Sequence, residues 1–378
     1  MLYGQSLSFL GDYCILPALL VLSTYYDNAW VTSGVVIVRS LPLVIQPFVG
    51  GLIDGLDKLK VMIVTDYLRV VVFLSILFIP YGHYPILFLS LLFLAYLSGI
   101  FFTPARLATM SVLGEDVKKV NIIFSRYTSF FITLGAVLGV IFILLGNVKY
   151  AVVLNSLTYF LSAIYLSKIK NLNYEKVELS SMNIQELTRG FIVIFKNKYL
   201  FNAVFTMFTM AILWGIMYSY FPIISNNLNI KDVGNFYLTI SIGVGGVIGA
   251  LVVNKLGFNT KLGSLVFAIV SMSTVVAFIQ SSNFIYAFII ACIFFATMEY
   301  GEVIAKVNVQ ENAENAIHGR IFSISEAIIG LSISLGSILM NFTNTFGLSI
   351  ITVVLILVFF FNTIYTYINK KEHKYESF

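Results

Sequence analysis

Residues 4–26 read GQSLSFLGDYCILPALLVLSTYY, and Asp12 is the one charged residue among them. As an α-helix rising 1.5 Å per residue, such a stretch is roughly 34 Å long, enough to cross a hydrocarbon core of about 30 Å. One such stretch could be the central helix of a soluble protein. This chain repeats it along almost its whole length, at 31–53, 61–80, 85–108, 121–145, 148–168, 200–225, 232–254, 262–280, 283–305, 320–342 and 347–368. The stretches are too long for barrel strands, which need only about ten residues. Helices and closed barrels alone satisfy every backbone group in lipid. The expected class is therefore an all-α integral membrane protein with twelve transmembrane helices.

Composition agrees. The 378 residues are 59% hydrophobic and 11% charged, against about 25% charged in soluble domains, which leaves little for an aqueous domain. The net charge of +5 resides in basic residues scattered through short loops, so it signals topology and not nucleic-acid binding. Loops on the side of the two termini carry nearly all of the lysine and arginine. The opposite loops carry only Lys149 and Lys231. The positive-inside rule then puts both termini in the cytoplasm. The first apolar stretch has no basic leader and reads as a membrane span, not a cleaved signal.

Two halves are expected: a six-helix bundle over 1–168, a cytoplasmic linker over 169–199, and a second bundle with a short tail over 200–378. At an offset of 198 residues Phe124-Ser125 falls on Phe322-Ser323, and Gly51 falls on Gly249. Parallel repeats of this kind are a transporter feature, with the substrate site at their interface. In the linker, Ile184, Leu187, Phe191, Ile194 and Phe195 recur at helical spacing among Gln185, Glu186, Arg189 and Lys196. That pattern fits either an amphipathic helix on the membrane surface or an ordinary linker helix.

Ionisable residues deep in a span are expensive and mark function by default. Asp12 lies about nine residues into span one and Arg39 about nine residues into span two, each roughly 13 Å deep. Either they pair and protonation of Asp12 frees the pair during transport, or they form a fixed ion pair between two spans. Glu299, Glu302 and Lys306 share one face of span ten. Glu302 and Lys306 can pair where the helix leaves the membrane. Glu299, deeper, is the better cavity acid, able to take a proton or attract a cation. Phe205, Phe208, Trp214 and Tyr218 of span seven are candidate lining for an apolar cavity, or simply core. Gly135 and Gly139, and the run Gly243, Gly245, Gly246 and Gly249, fit close helix packing better than a hinge.

Several classes find no support. There is no phosphate-binding Gly-Lys-Ser/Thr loop. His83, His318 and His373 lack metal-ligand spacing, Cys14 and Cys292 both sit inside apolar spans, and no nucleophile motif stands out. No cofactor, metal or enzymatic activity is expected.

An ordered set of short motifs then points to one family. Gly11-Asp12, Arg39-Ser40-Leu41-Pro42, GGLIDGLDKLK (50–60), Asp66-Tyr67-Leu68-Arg69, FFTPAR (101–106) with Asn121, Leu154 to Phe160, ELTRGFIVIFKNKYL (186–200) and His318 to Ser323 resemble the major facilitator superfamily. The nearest branch is the macrolide-efflux type of drug/proton antiporter. There are departures. Gly55 stands where the family's loop between spans two and three carries arginine, and Gly135 to Gly139 lacks the antiporter proline. The resemblance implies a major facilitator fold and a monomer in the cell membrane that exports a small apolar or amphipathic compound against protons by alternating access. A lipid or lysophospholipid flippase on the same fold, or a receptor or enzyme that does not transport, are the alternatives. It also implies a cytoplasmic gate. Gly51, Asp54 and Lys58 would meet Gly319 and Arg320 at the start of span eleven, with Asp66, Arg69 and Arg106 in the same charge network.

Overall fold

The computed structural model describes residues 2–49, 56–112, part of 131–146, 147–169, 184–256, 260–312 and 318–341. The described residues fold into helices joined by short turns: α1 (Leu2–Thr24), α2 (Ala29–Ser40), α3 (Lys58–Ile76), α4 (Pro85–Val112), α5 (Lys149–Ser167), α6 (Ile184–Lys196), α7 (Lys198–Asn227), α8 (Lys231–Leu256), α9 (Thr260–Ile279), α10 (Phe284–Asn312) and α11 (His318–Asn341). Seven of the helical stretches are long and apolar enough to cross a membrane. The expected spans at 121–145 and 347–368 lie largely or wholly outside the described residues.

Short polar side chains set where these helices begin. Asn28 accepts the amide of Trp30 at 2.9 Å to start α2, and Asp57 accepts that of Lys60 at 3.2 Å to start α3. Asn147, Asn197 and Asn283 do the same for α5, α7 and α10. Each satisfies an amide that the first helical turn leaves without a partner, which matters most at a membrane edge.

Span two, helical from Ala29 to Val49, is not α-helical throughout. It breaks after Ser40 into a 3-10 turn, Leu41–Ile45, before helical backbone resumes at residues 46–49. Pro42 causes the break, because it lacks an amide hydrogen and its ring clashes with the preceding turn. Ser40 folds its hydroxyl back onto the carbonyl of Val36 at 2.9 Å, meeting part of the polar demand that a break inside lipid creates.

α3 shows the inverted patterning of a membrane helix. Met62, Asp66, Arg69, Phe73 and Ile76 are buried, while Val64, Leu68, Val71 and Leu74 are exposed. The charges face the protein and the aliphatic residues face outward, opposite to a soluble amphipathic helix.

The described residues form two compact units. One holds those within Met1–Asn183 together with Phe221–Ile240, and the other those within Ile184–Tyr220 together with Ser241–Phe378. In the first, α1 packs on α5, and α3 packs on both α4 and α5. In the second, α9 packs on α10, and α6 lies against α11. α6 exposes Phe191 and Phe195 and buries Ile194. Glycines set the closest approaches. A β-carbon on Gly249 would come within 2.4 Å of the Ala296 carbonyl of α10, and one on Gly135 within 2.7 Å of the Leu10 carbonyl of α1.

Candidate functional site

The site of the first unit begins with Gly11. A β-carbon there would collide with Asn155 and Thr158 of α5, so the bare α-carbon lets α1 and α5 touch backbone to side chain. The next residue, Asp12, is thereby brought under Tyr159, whose hydroxyl donates a hydrogen bond to the Asp12 carboxylate. Tyr159 cannot move far: its ring stacks on Phe73 of α3 at 5.9 Å.

α3 supplies the cation. Arg69 lies eleven residues into the helix, roughly 17 Å from its start and so near mid-membrane. Its guanidinium stands 3.5 Å from the Asp66 carboxylate and donates through Nε to Ser98 at 3.3 Å. It also sits 5.0 Å from the ring centres of both Phe102 and Tyr159. A side chain at Gly99 would strike it, at 2.8 Å from Nη2. Asp66 itself is fully buried. A buried charge is tolerable only with a partner, and Asp66 and Arg69 supply each other's.

These groups border a cavity of about 290 Å³. Asp12 and Tyr13 line it from α1, Arg39 from α2, Arg69 from α3, Tyr96, Phe102 and Arg106 from α4, and Tyr159 from α5. Arg39 is carried there at the lip of the Pro42 break. Arg106 lies 5.7 Å from the ring of Phe9, another wall residue. Asp12 and Arg39 thus meet in one cavity. The Asp12 hydrogen bond goes to Tyr159, and Arg69 and Arg39 line the same cavity. Arg69 and Arg106, read from the resemblance as gate residues, also line this cavity.

A second cavity, of about 180 Å³, lies in the second unit. Its wall is Met207, Met210, Ala211 and Trp214 of α7, Met298 and Glu302 of α10, and Glu326, Ile329 and Ile333 of α11. Trp214 lines it, and Tyr218 stacks behind Trp214 at 4.8 Å, almost fully buried. Phe205 and Phe208 are absent from this wall. They continue a stack that starts at Phe201, with spacings of 5.8 Å. Glu302 lines the cavity, whereas Glu299 packs against Gly246 and Gly249 of α8.

Of the expected gate, Gly51 and Asp54 lie outside the described residues. Lys58 is buried at the start of α3. Gly319 and Arg320 stand in the first turn of α11. Among the described residues no group of three or more His, Cys, Asp or Glu could hold a metal.

Tyr159, Tyr96 and Glu326 were not anticipated. A tyrosine inside a span looks like any of the chain's 22. For Glu326 a signal existed, since a carboxylate eight residues into α11 meets the same depth criterion that singled out Asp12.

The sequence profile of the Major Facilitator Superfamily matches residues 1–337. The chain belongs to that superfamily. A major facilitator protein of Bacillus subtilis (strain 168), named as a candidate bacilysin exporter, BacE, is 51% identical over 345 residues, spanning 90% of this chain and 87% of that one. One of the same name from Bacillus amyloliquefaciens is 50% identical over 367 residues, 96% of this chain and 93% of its own. Solved major facilitator structures share the fold at low identity. A point mutant of the nucleoside transporter NupG superposes with a TM-score of 0.73 at 12% identity, covering 98% of this chain and 99% of that one. A D-xylose–proton symporter gives 0.70 at 14%, covering 98% and 97%. This major facilitator chain is a multi-pass membrane transporter and not an enzyme.

Proposed function

We propose that the chain exports a small amphipathic compound across the plasma membrane in exchange for protons, with Asp12 as the proton carrier. The observation that carries this reading is the Asp12 carboxylate, set in a cavity wall deep in a membrane span and held by Tyr159. A carboxylate at that depth exists in two protonation states whose interactions with Arg69 and Arg39 differ. A proton arriving there changes the charge of the cavity in which cargo would sit. Export, and bacilysin or a compound of similar chemistry as cargo, are supported by the names of relatives sharing half of the sequence. Transport proceeds by alternating access of a monomer with both termini in the cytoplasm. By the resemblance given above, Asp54, Lys58, Gly319 and Arg320 serve in closing the cytoplasmic side.

Proteoliposomes holding the purified chain test the reading. Addition of bacilysin is expected to move protons, and Asp12→Asn to abolish that movement. Bacilysin crossing with no proton movement would remove antiport. Absence of any crossing would remove this cargo.

A further inference from the structure

We propose that the end of α6 and the start of α7 form a docking site for an anionic phospholipid of the bilayer. Its phosphate lies by Lys196 and Lys198, and an acyl chain runs along Phe195, Phe201, Phe205 and Phe208. The proposal is independent of the cargo and of how its movement is driven.

α6 turns a large apolar face outward. Phe191 and Phe195 stand one turn apart at 40% and 68% exposure, with Ile192 beside them at 43%, while Ile194 is buried. A helix serving only as a linker in water would carry polar side chains at such positions. One lying at a membrane interface sets its aromatic residues into the acyl boundary and its basic residues toward the headgroups. Of the two readings of this amphipathic stretch, the exposed face favours the membrane surface.

From Phe195 a row of rings continues into α7. Phe195 lies 5.7 Å from Phe201, Phe201 lies 5.8 Å from Phe205, and Phe205 lies 5.8 Å from Phe208. Phe201, Phe205 and Phe208 share one face of α7 and are half-buried, whereas Ala203, Val204 and Met207 are buried. Phe208 stands ten residues into α7, roughly 15 Å from its start. That is half of a hydrocarbon core of about 30 Å, the depth of one leaflet. The row therefore has the reach of an acyl chain and ends where that chain would.

Lysines mark its outer end. Lys196 closes α6 and is exposed, and Lys198 opens α7 with its ammonium 5.8 Å from the ring centre of Tyr199. Asn197 fixes the corner between them. Its side chain accepts the Tyr199 amide at 2.9 Å and donates to the carbonyl of Asn312, at the end of α10, at 3.3 Å. Residues 168–198 carry six basic residues against three acidic ones, so the local field attracts an anion. Basic side chains at a membrane surface draw anionic headgroups and gain little from zwitterionic ones. Charge at one end and a leaflet-deep apolar row at the other select a lipid over a free anion.

The test is native mass spectrometry of the full chain in detergent. It is titrated with dioleoyl phosphatidylglycerol, which is anionic, or dioleoyl phosphatidylcholine, which is zwitterionic. Phosphatidylglycerol is expected to bind at least about tenfold more tightly, since each lysine near a membrane surface contributes roughly fivefold. Lys196→Gln with Lys198→Gln should remove the preference. Lys196→Gln alone, at an exposed position where the fold is not at stake, should remove part of it. Lys60→Gln should leave it intact, because that lysine is exposed at the start of α3, away from this corner. Phe195→Ser should weaken both lipids by the same factor and keep their ratio. Excess inorganic phosphate should displace neither. Equal binding of the two lipids, a preference that survives the double lysine variant, an equal loss with Lys60→Gln, unchanged binding in Phe195→Ser, or displacement by inorganic phosphate each overturns the proposal.

Discussion

A β-carbon on Gly11 would lie 2.1 Å from Oγ1 of Thr158, well inside van der Waals contact. The same carbon would stand 3.0 Å from the α-carbon of Asn155, so rotating the threonine does not relieve the clash. Gly11→Ala must therefore push α1 away from α5. Overpacking of this kind costs about 1–3 kcal/mol and lowers the melting temperature. It also draws Asp12 away from Tyr159, so transport should fall further than stability does. Gly246→Ala is the control. A β-carbon there has no neighbour closer than Oε2 of Glu299 at 3.9 Å, and its melting temperature should stay within a degree or two of the parent.

Tyr159→Phe separates the hydroxyl from the ring. The ring contacts with Phe73 and Arg69 persist, while the hydroxyl's bond to Asp12 and its polar interaction with Arg69 are lost. A hydrogen bond to a charged group contributes about 1.5–3 kcal/mol, so substrate-dependent proton flux should drop roughly ten- to a hundredfold. The purified variant should remain folded and monodisperse. Unchanged flux in proteoliposomes would remove Tyr159 from the coupling machinery.

Gly99→Ala should reproduce the effect of Arg69→Lys from a neighbouring helix. The new methyl would stand 2.8 Å from Nη2 of Arg69 and force the guanidinium off its place between Phe102 and Tyr159. Arg69→Lys keeps the charge but loses the planar fork and its stacking. Both variants should lower transport without unfolding the protein. The double variant should be little worse than either single one, because both act on one contact. Additive losses in a double-mutant cycle of transport rates would show two separate mechanisms.

The particular residues explain how far the sequence could be read. Span positions were legible because lipid imposes a length and a polarity that local composition reports directly. α5 at Lys149–Ser167 against an expected 148–168 shows how closely. Asp12 and Arg39 were legible for the same reason, as charges at a forbidden depth. Arg69 satisfies that criterion equally, yet the motif around it pointed to a gate; only the packing of α3 on α4 and α5 places it in the cavity wall. The partnership of Asp12 with Tyr159 joins residues 147 apart in the chain, and no local pattern encodes it. The Pro42 break went unread because proline is tolerated within membrane helices, so its presence alone does not mark an interruption. α1 keeps its course through Pro17.

Lys149 gives a prediction away from the cavity. It is one of the two cations that the charge asymmetry of the loops assigns to the outer side, and the structure gives it a task there. Its ammonium donates to the carbonyls of Leu77 and Ile79, at 2.9 and 3.1 Å, just beyond the end of α3. It also lies 4.5 Å from the centre of the Tyr81 ring, which in turn packs on Tyr25 at 4.7 Å. Carbonyls at a helix C-terminus lack intrahelical partners and attract a cation. One side chain thus closes α3 and ties the α3–α4 turn to the start of α5. Lys149→Met keeps the aliphatic stem over Tyr81 and removes both hydrogen bonds and the charge. The expected loss is about 1–3 kcal/mol of stability, read as a lower melting temperature in detergent. Lys149→Arg should recover part of it. Cargo selectivity should be unchanged in both, since Lys149 is not part of the cavity wall. A Lys149→Met variant as stable as the parent would mean that water satisfies the freed carbonyls equally well and that the lysine serves topology alone.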